Sequence, residues 1–295
     1  MSITRRERAT AITGLMIGCV IFGLGSLIVA FVPIGAYAIA FWRMLIGGVV
    51  FGALFMLRRD HLPKNRRAIV FAGLSGIFLA VDLSLWHESI YAVGPGISTL
   101  LNSLQIFFLA ALGWILFQER LSLQQTFSLF LAIIGVGLIA SPEFAHNSAA
   151  TWGFISGGLS AAMLAASMTA IRLTHASEPT PLVPLMVVLN FSGAFAILPI
   201  ALLSDAAFFP TNWHDIALVA TYGLVMQSLA WTMIAWAIPR LSLALTGLIL
   251  LSEPVAALII DYLLLDKSIN GLQWTGASLT LLAIYLGSVA KKKAA

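Results

Sequence analysis

Asp82 and Trp86 stand four residues apart, and Gln227 and Trp231 repeat that spacing in the second half of the chain. Residues i and i+4 share one face of a helix, so each pair presents an indole beside an acceptor or an amide. If the two helices face each other, two rings and two polar groups line one central cavity. Such a surface suits a zwitterion with a flat apolar side chain, since aromatic faces accept both rings and cations. His87 and Tyr91 form a further i,i+4 pair beside Glu88. They are candidates for substrate contact, proton relay or an outer gate, whereas Glu88 reads as a helix end in the headgroup region.

Ser98, Asn102 and Gln105 fall on one helical stripe. Asn102 is a candidate lining residue, although polar stripes also join helices inside a bilayer. Two deep charges complete the set: Arg43, and Glu253 followed by Pro254. Proline in a helix frees a carbonyl and kinks the chain, so Glu253 with Pro254 is a candidate coupling site. Arg43 needs a buried anion, backbone carbonyls or a route by which its head can snorkel. It is read either as a structural charge or as a partner for a substrate carboxylate.

The elements that must carry these residues are long apolar helices. Hydrophobic residues make up 60% of the 295 and charged residues 9%, against about 25% charged in soluble domains. Apolar runs occupy residues 9–31, 34–57, 68–91, 95–117, 122–141, 151–172, 181–203, 213–237, 241–265 and 271–290. Each is about 20 residues long and continuous, which predicts transmembrane helices, not strands alternating over about 10 residues. The first run exceeds the length of a signal-peptide core, so it is expected to be retained. Of sixteen Lys and Arg residues, fourteen fall before the first run, after the last, or in every second gap. This is the positive-inside pattern, and it places both termini in the cytoplasm. The net charge of +4 belongs to loops that face anionic headgroups and does not point to nucleic acid.

The chain repeats. The segment from Asp82 to Val93 aligns with that from Gln227 to Ile238, and Glu119-Arg120 aligns with Asp266-Lys267. Gln125 then pairs with Gln273, and Arg43 falls weakly opposite Asn190. Five spans per half is an odd number, so the second half enters the membrane from the other side, as in many secondary transporters. The expected halves are 1–145 and 146–295. Lys267 departs from the charge rule because it copies Arg120.

With these features in place, the chain resembles the drug/metabolite transporter superfamily of EamA type over essentially its whole length. The residues that carry the resemblance are Arg43 in the second span, Glu119-Arg120-Leu121-Ser122 closing the fourth, Gly135-Val136-Gly137 in the fifth and Ser252-Glu253-Pro254 in the ninth. The aromatic third and eighth spans are similar to those of bacterial aromatic amino-acid exporters of the YddG type. The resemblance implies ten transmembrane helices in two inverted repeats, export of small amphiphilic metabolites across the bacterial inner membrane, and alternating access around a central cavity.

Other functions fit less well. No Walker loop, H-E-x-x-H or G-x-S-x-G motif is present, so neither ATP-driven transport by this chain nor a lipid-processing intramembrane enzyme is expected. Cys19 is the single cysteine, which excludes a cysteine metal site, and no cofactor is expected. Nucleotide-sugar carriage calls for several cavity cations, and Arg43 alone is deep. Drug or organic-cation efflux remains open, because an aromatic cavity with carboxylates also suits cations. The expected partners are therefore a small-molecule substrate, the lipid bilayer and, for coupling, protons carried by Asp82, His87 or Glu253.

Overall fold

The computed structural model describes residues 4–140, 150–264 and 269–289. The boundary expected at 145/146 lies outside the described residues, as do Asp266 and Lys267. Among the described residues the chain is all-helical, in ten spans. A bilayer core offers no water to satisfy backbone amides, so each span must bond within itself.

The first span is Arg5–Gly23 continued by Gly25–Phe31, and the second is Ala36–Arg58. The third and fourth run on as Arg66–Asn102, followed by Gln105–Phe117. Gly94 marks the corner between them with φ of 82°, a conformation that glycine adopts without steric cost. The fifth, sixth and seventh spans are Leu123–Ala140, Ala150–Ser177 and Leu182–Leu203. The eighth comprises Trp213–Thr221, a π-helical stretch Tyr222–Ala230 and Trp231–Ala237. The ninth is Leu243–Leu250 followed by Ser252–Leu264, and the tenth is Gly271–Val289. Five of these (Ala36–Arg58, Arg66–Gly94, Thr151–Ser177, Leu182–Leu203 and Trp213–Arg240) are long and apolar enough to cross a membrane as single helices. The others reach that length in pieces or with short ends.

Helix starts are capped by residues that can accept a backbone N–H. Thr4 and Glu7 form a reciprocal capping box at the first span, and Thr4 holds the Glu7 carboxyl below its ordinary range. Asn212 caps the eighth span and Ser242 the ninth.

The halves interleave. The third span packs on the sixth and seventh, the second on the seventh and eighth, and the fifth on the tenth. The fifth and tenth approach backbone to backbone: a Cβ on Gly135 would stand 2.7 Å from the Gly276 carbonyl oxygen. Leu15, Met44, Leu79, Leu83 and Met168 are buried in the shared core, while Leu57, Trp114, Phe195, Leu203 and Tyr285 are exposed. Large apolar side chains turned outward are what a lipid-facing surface demands.

Candidate functional site

Two of the interrupted spans are interrupted at equivalent places, by a tightened turn whose backbone stays right-handed helical (Leu104 φ −61°, ψ −15°; Leu251 φ −67°, ψ −1°). The fourth is interrupted at Ser103 and Leu104, the ninth at Leu251. Leu104 and Leu251 are separated by the same sequence offset as Glu119 and Asp266, so both copies of the repeat carry the interruption. Broken helices expose backbone groups and half-helix termini, and transporters place binding sites there. Glu253 lies in the first turn of the second half-helix, where the helix dipole favours a carboxylate. Pro254 occupies that same turn, where the missing N–H would have had no helical partner. In place of the expected proline kink there is a tightened turn three residues earlier, at Leu251, whose N–H bonds the Leu248 carbonyl.

A small cavity of about 20 Å³ lies between these interruptions, room for about one water. Asp82, Trp86 and Asn102 of the first half contribute to its wall, and so do Trp231 and Glu253 of the second. Phe22 of the first span and Met168 of the sixth also line it. Asp82 Oδ1 accepts hydrogen bonds from Ser160 Oγ at 2.6 Å and Asn102 Nδ2 at 3.2 Å. Asn102 also donates to Ser160 Oγ at 2.7 Å. Three spans are therefore tied at one carboxylate. Ser98 Oγ donates to the Trp86 carbonyl at 3.2 Å, so the polar stripe of the fourth span fastens it to the third.

Gln227 does not reach the cavity wall. It is fully buried and belongs to a second polar group around Arg43. Arg43 Nε donates to Gln227 Oε1 at 2.9 Å, and Nη1 donates to Tyr222 Oη at 2.8 Å. Gln227 Nε2 donates in turn to Asn190 Oδ1 at 2.8 Å, so the weak alignment of Arg43 with Asn190 corresponds to one connected chain. The guanidinium also lies over the rings of Phe22 and Tyr222, at 4.5 and 4.6 Å from their centroids. The expected alternatives for Arg43 were an anion, backbone carbonyls or snorkelling. Its hydrogen bonds go to two neutral side-chain oxygens and its faces to two aromatic rings, with Asp82 and Glu253 close enough to act on it electrostatically.

The π-helix explains why both oxygens converge. Tyr222 and Gln227 are five residues apart, which an α-helix would splay, whereas i→i+5 winding stacks them on one face. His87 Nδ1 faces the Ala36 carbonyl at 3.0 Å, and Nε2 faces Tyr222 Oη at 3.0 Å. A carbonyl only accepts, so Nδ1 carries a proton. Tyr222 accepts from Arg43 and can then donate to His87 Nε2. The polar chain runs in one sense from Arg43 through Tyr222 and His87 to Ala36.

Tyr91 stands apart. It is 46% exposed, and its hydroxyl donates to the Ile34 carbonyl at 3.1 Å. Nearby, Trp42 Nε1 donates to the Phe208 carbonyl at 2.8 Å, and Gly35 N–H to that of Ala207 at 2.9 Å. These bonds tie one end of the bundle. The other end carries Arg120, Arg172 and Arg240. There Glu119 pairs with Arg172 at 2.5 Å and accepts the Leu243 N–H at 3.0 Å, at the start of the ninth span. Arg172 also lies 4.2 Å from the Phe117 ring centroid. Glu119→Gln is expected to lower stability in detergent by about 1–3 kcal/mol, the range for a hydrogen bond to a charged group. Adding Arg172→Gln should cost less than the two single losses combined, and thermal unfolding of the four proteins measures it.

Sequence reasoning missed Phe22, Tyr222 and Ser160. The serines at 156, 160 and 167 form a buried polar run in the sixth span, a signal that could have drawn attention to Ser160. Nothing in the spacing marks Phe22, and the Tyr222 spacing makes sense only once the helix is known to be π-wound.

Known proteins resemble this chain in sequence or in fold. A probable amino-acid metabolite efflux pump of Escherichia coli (strain K12) is 26% identical over 261 residues, covering 81% of this chain and 81% of the relative. A WAT1-related chloroplastic protein of Arabidopsis thaliana is 24% identical over 268 residues, 85% of this chain, which spans 62% of that relative's length. A solved crystal structure superposes with a TM-score of 0.77 over 96% of both chains at 16% identity, a likeness of fold. The EamA-like transporter family matches residues 9–141 and again residues 151–289. Matched once by each five-span half, this chain belongs to the EamA-like transporter family, within the drug/metabolite transporter superfamily.

Proposed function

We propose that this protein is a secondary transporter that exports small amphiphilic metabolites, chiefly aromatic and other neutral amino acids, across the bacterial inner membrane. The observation that carries the reading is the cavity between the two helix interruptions, where Asp82, Trp86 and Asn102 meet Trp231 and Glu253. Two indoles offer flat apolar faces, and two carboxylates offer sites for an ammonium. The Escherichia coli relative, a probable amino-acid metabolite efflux pump, supports the same class.

A cavity of about 20 Å³ is far too small for an amino acid, so binding requires the halves 1–145 and 146–295 to move apart. Rocking about the cavity opens the Glu119–Arg172 end and the Trp42–Phe208 end in turn. The positive-inside pattern makes the arginine-bearing end cytoplasmic, along with both termini. Asp82 and Glu253 share the cavity, so either can carry a proton that the substrate ammonium displaces. His87 has both nitrogens engaged, which favours a positioning role over proton release.

A second reading, efflux of organic cations, draws on the same two carboxylates. Proteoliposome uptake of labelled amino acids and cations, with and without a pH gradient, separates the two. Aromatic amino acids are expected to enter faster than in empty vesicles. Trp86→Ala with Trp231→Ala should reduce that rate at least about tenfold, since buried aromatic contacts are worth roughly 1 kcal/mol or more each beyond area burial. Equal rates in loaded and empty vesicles for every aromatic amino acid would sink the export reading.

A further inference from the structure

Arg43 is fully buried and its Nη2 has no hydrogen-bond partner among the described residues. Trp231 is 1% exposed, and its indole Nε1 likewise has none. Both residues that carry these donors lie against one ring, that of Phe22. Phe22 lies 4.5 Å from the guanidinium carbon and 6.1 Å from the Trp231 ring, centroid to centroid. Phe22 and Trp231 also line the cavity that holds Asp82 and Glu253. Phe22 therefore touches both the buried cation and the cavity that Asp82 and Glu253 line.

A buried charge whose hydrogen bonds go only to neutral partners is costly, and a donor left unmade adds to the cost. Gln227 and Tyr222 hold Nε and Nη1, so the guanidinium is aimed and one nitrogen stays available. A carboxylate has two oxygens and could take one bond from Nη2 and one from the indole N–H. Charge-assisted pairing of this kind is among the strongest that side chains make.

The shared ring can move. Phe22 lies two residues before Leu24, at the turn between Gly23 and Gly25. The Leu24 N–H bonds three residues back, to Ile21, which tightens the turn there while the backbone stays helical. Leu24 keeps right-handed helical angles, φ −72° and ψ −17°, so Phe22 uncovers the site by changing its own side-chain rotamer on a continuous span.

We propose that Arg43 and Trp231 form the carboxylate end of the substrate site, that Phe22 is the shutter covering it in this closed form, and that Asp82 and Glu253 form the ammonium end. Gln227 and Tyr222 are then positioning residues for Arg43. The inference rests on the reading of the protein as an amino-acid exporter and assigns that substrate a direction in the cavity. It also predicts selectivity: an amine with the same ring but no carboxylate leaves Arg43 and the indole N–H unanswered.

The test is binding of tryptophan and of tryptamine to the purified full chain in lipid nanodiscs. Wild-type protein is expected to prefer tryptophan. Trp231→Phe keeps a ring and removes the N–H; it should weaken tryptophan about tenfold more than it weakens tryptamine, the loss of one charge-assisted bond. Arg43→Gln should remove the preference altogether, and if that variant does not fold, Trp231→Phe carries the test alone. Selective wild-type binding with undiminished selectivity in the variants overturns this inference and leaves the exporter reading standing. Wild-type protein that binds tryptamine alone, or neither ligand, removes the exporter reading and the inference with it.

Discussion

Asp82→Asn should leave the protein folded and cut its transport of aromatic amino acids by about tenfold to a hundredfold, the worth of one hydrogen bond to a charged group. The expectation follows from what Asp82 touches. Its Oδ1 accepts from Ser160 and Asn102, and it lines the cavity beside Trp86 and Glu253. Asparagine keeps an oxygen of the same reach, so Ser160 and Asn102 retain an acceptor and the third, fourth and sixth spans stay tied. The charge is what disappears. Asp82→Ala tests the other half of the argument, because it strands two buried donors and should lower stability as well as transport. Uptake in proteoliposomes and unfolding in detergent separate the two effects. A fully active Asp82→Asn protein would take Asp82 out of the site and leave Glu253 as the cavity carboxylate to examine.

The positions of the ten spans are legible in the sequence because lipid imposes one simple demand, about 20 apolar residues per helix. That demand says little about where a helix is interrupted inside its own span. Leu104 and Leu251 are themselves good helix formers, and the Asn102-Ser103 and Ser252 beside them cost a helix only tenths of a kcal/mol, about 0.7 at most, too little to mark an interruption. Pro254 hinted at the one in the ninth span, but proline is comfortable in the first turn of a helix, so the interruption lies ahead of it. The cavity side chains were legible for a similar reason. Deep polar groups and repeated aromatic spacings stand out against an apolar background. Asp82, Trp86, Asn102, Trp231 and Glu253 all reach the same cavity. Gln227 and His87 stood out equally and went elsewhere: the π-helix between Tyr222 and Ala230 directs Gln227 toward Arg43, and His87, on the third span, meets Tyr222 and the Ala36 carbonyl. Phe22 was invisible, as one phenylalanine among eighteen with no polar neighbour to mark it.

Tyr222→Phe is expected to be the most damaging single-atom change in the molecule. It removes one hydroxyl oxygen and keeps the ring on which the guanidinium rests. Arg43 Nη1 then loses its acceptor at 2.8 Å, and His87 Nε2 loses its partner at 3.0 Å. Both groups are buried, Arg43 and His87 at 0% exposure, so water cannot substitute. A stranded polar group costs about 1–3 kcal/mol and a charged one more, which sums to a loss of about 3 kcal/mol or above. The same logic predicts partial rescue. Removing the charge as well, in Arg43→Met with Tyr222→Phe, should be milder than the single losses added together, because a buried ion is most expensive when half of its pairing is gone. Thermal unfolding of the wild type, the two single variants and the double variant closes the cycle. A Tyr222→Phe loss below about 1 kcal/mol, the value of an ordinary neutral bond, would mean that Arg43 finds another acceptor. The guanidinium would then be free to turn, and the fixed aim toward Phe22 and the cavity would no longer hold.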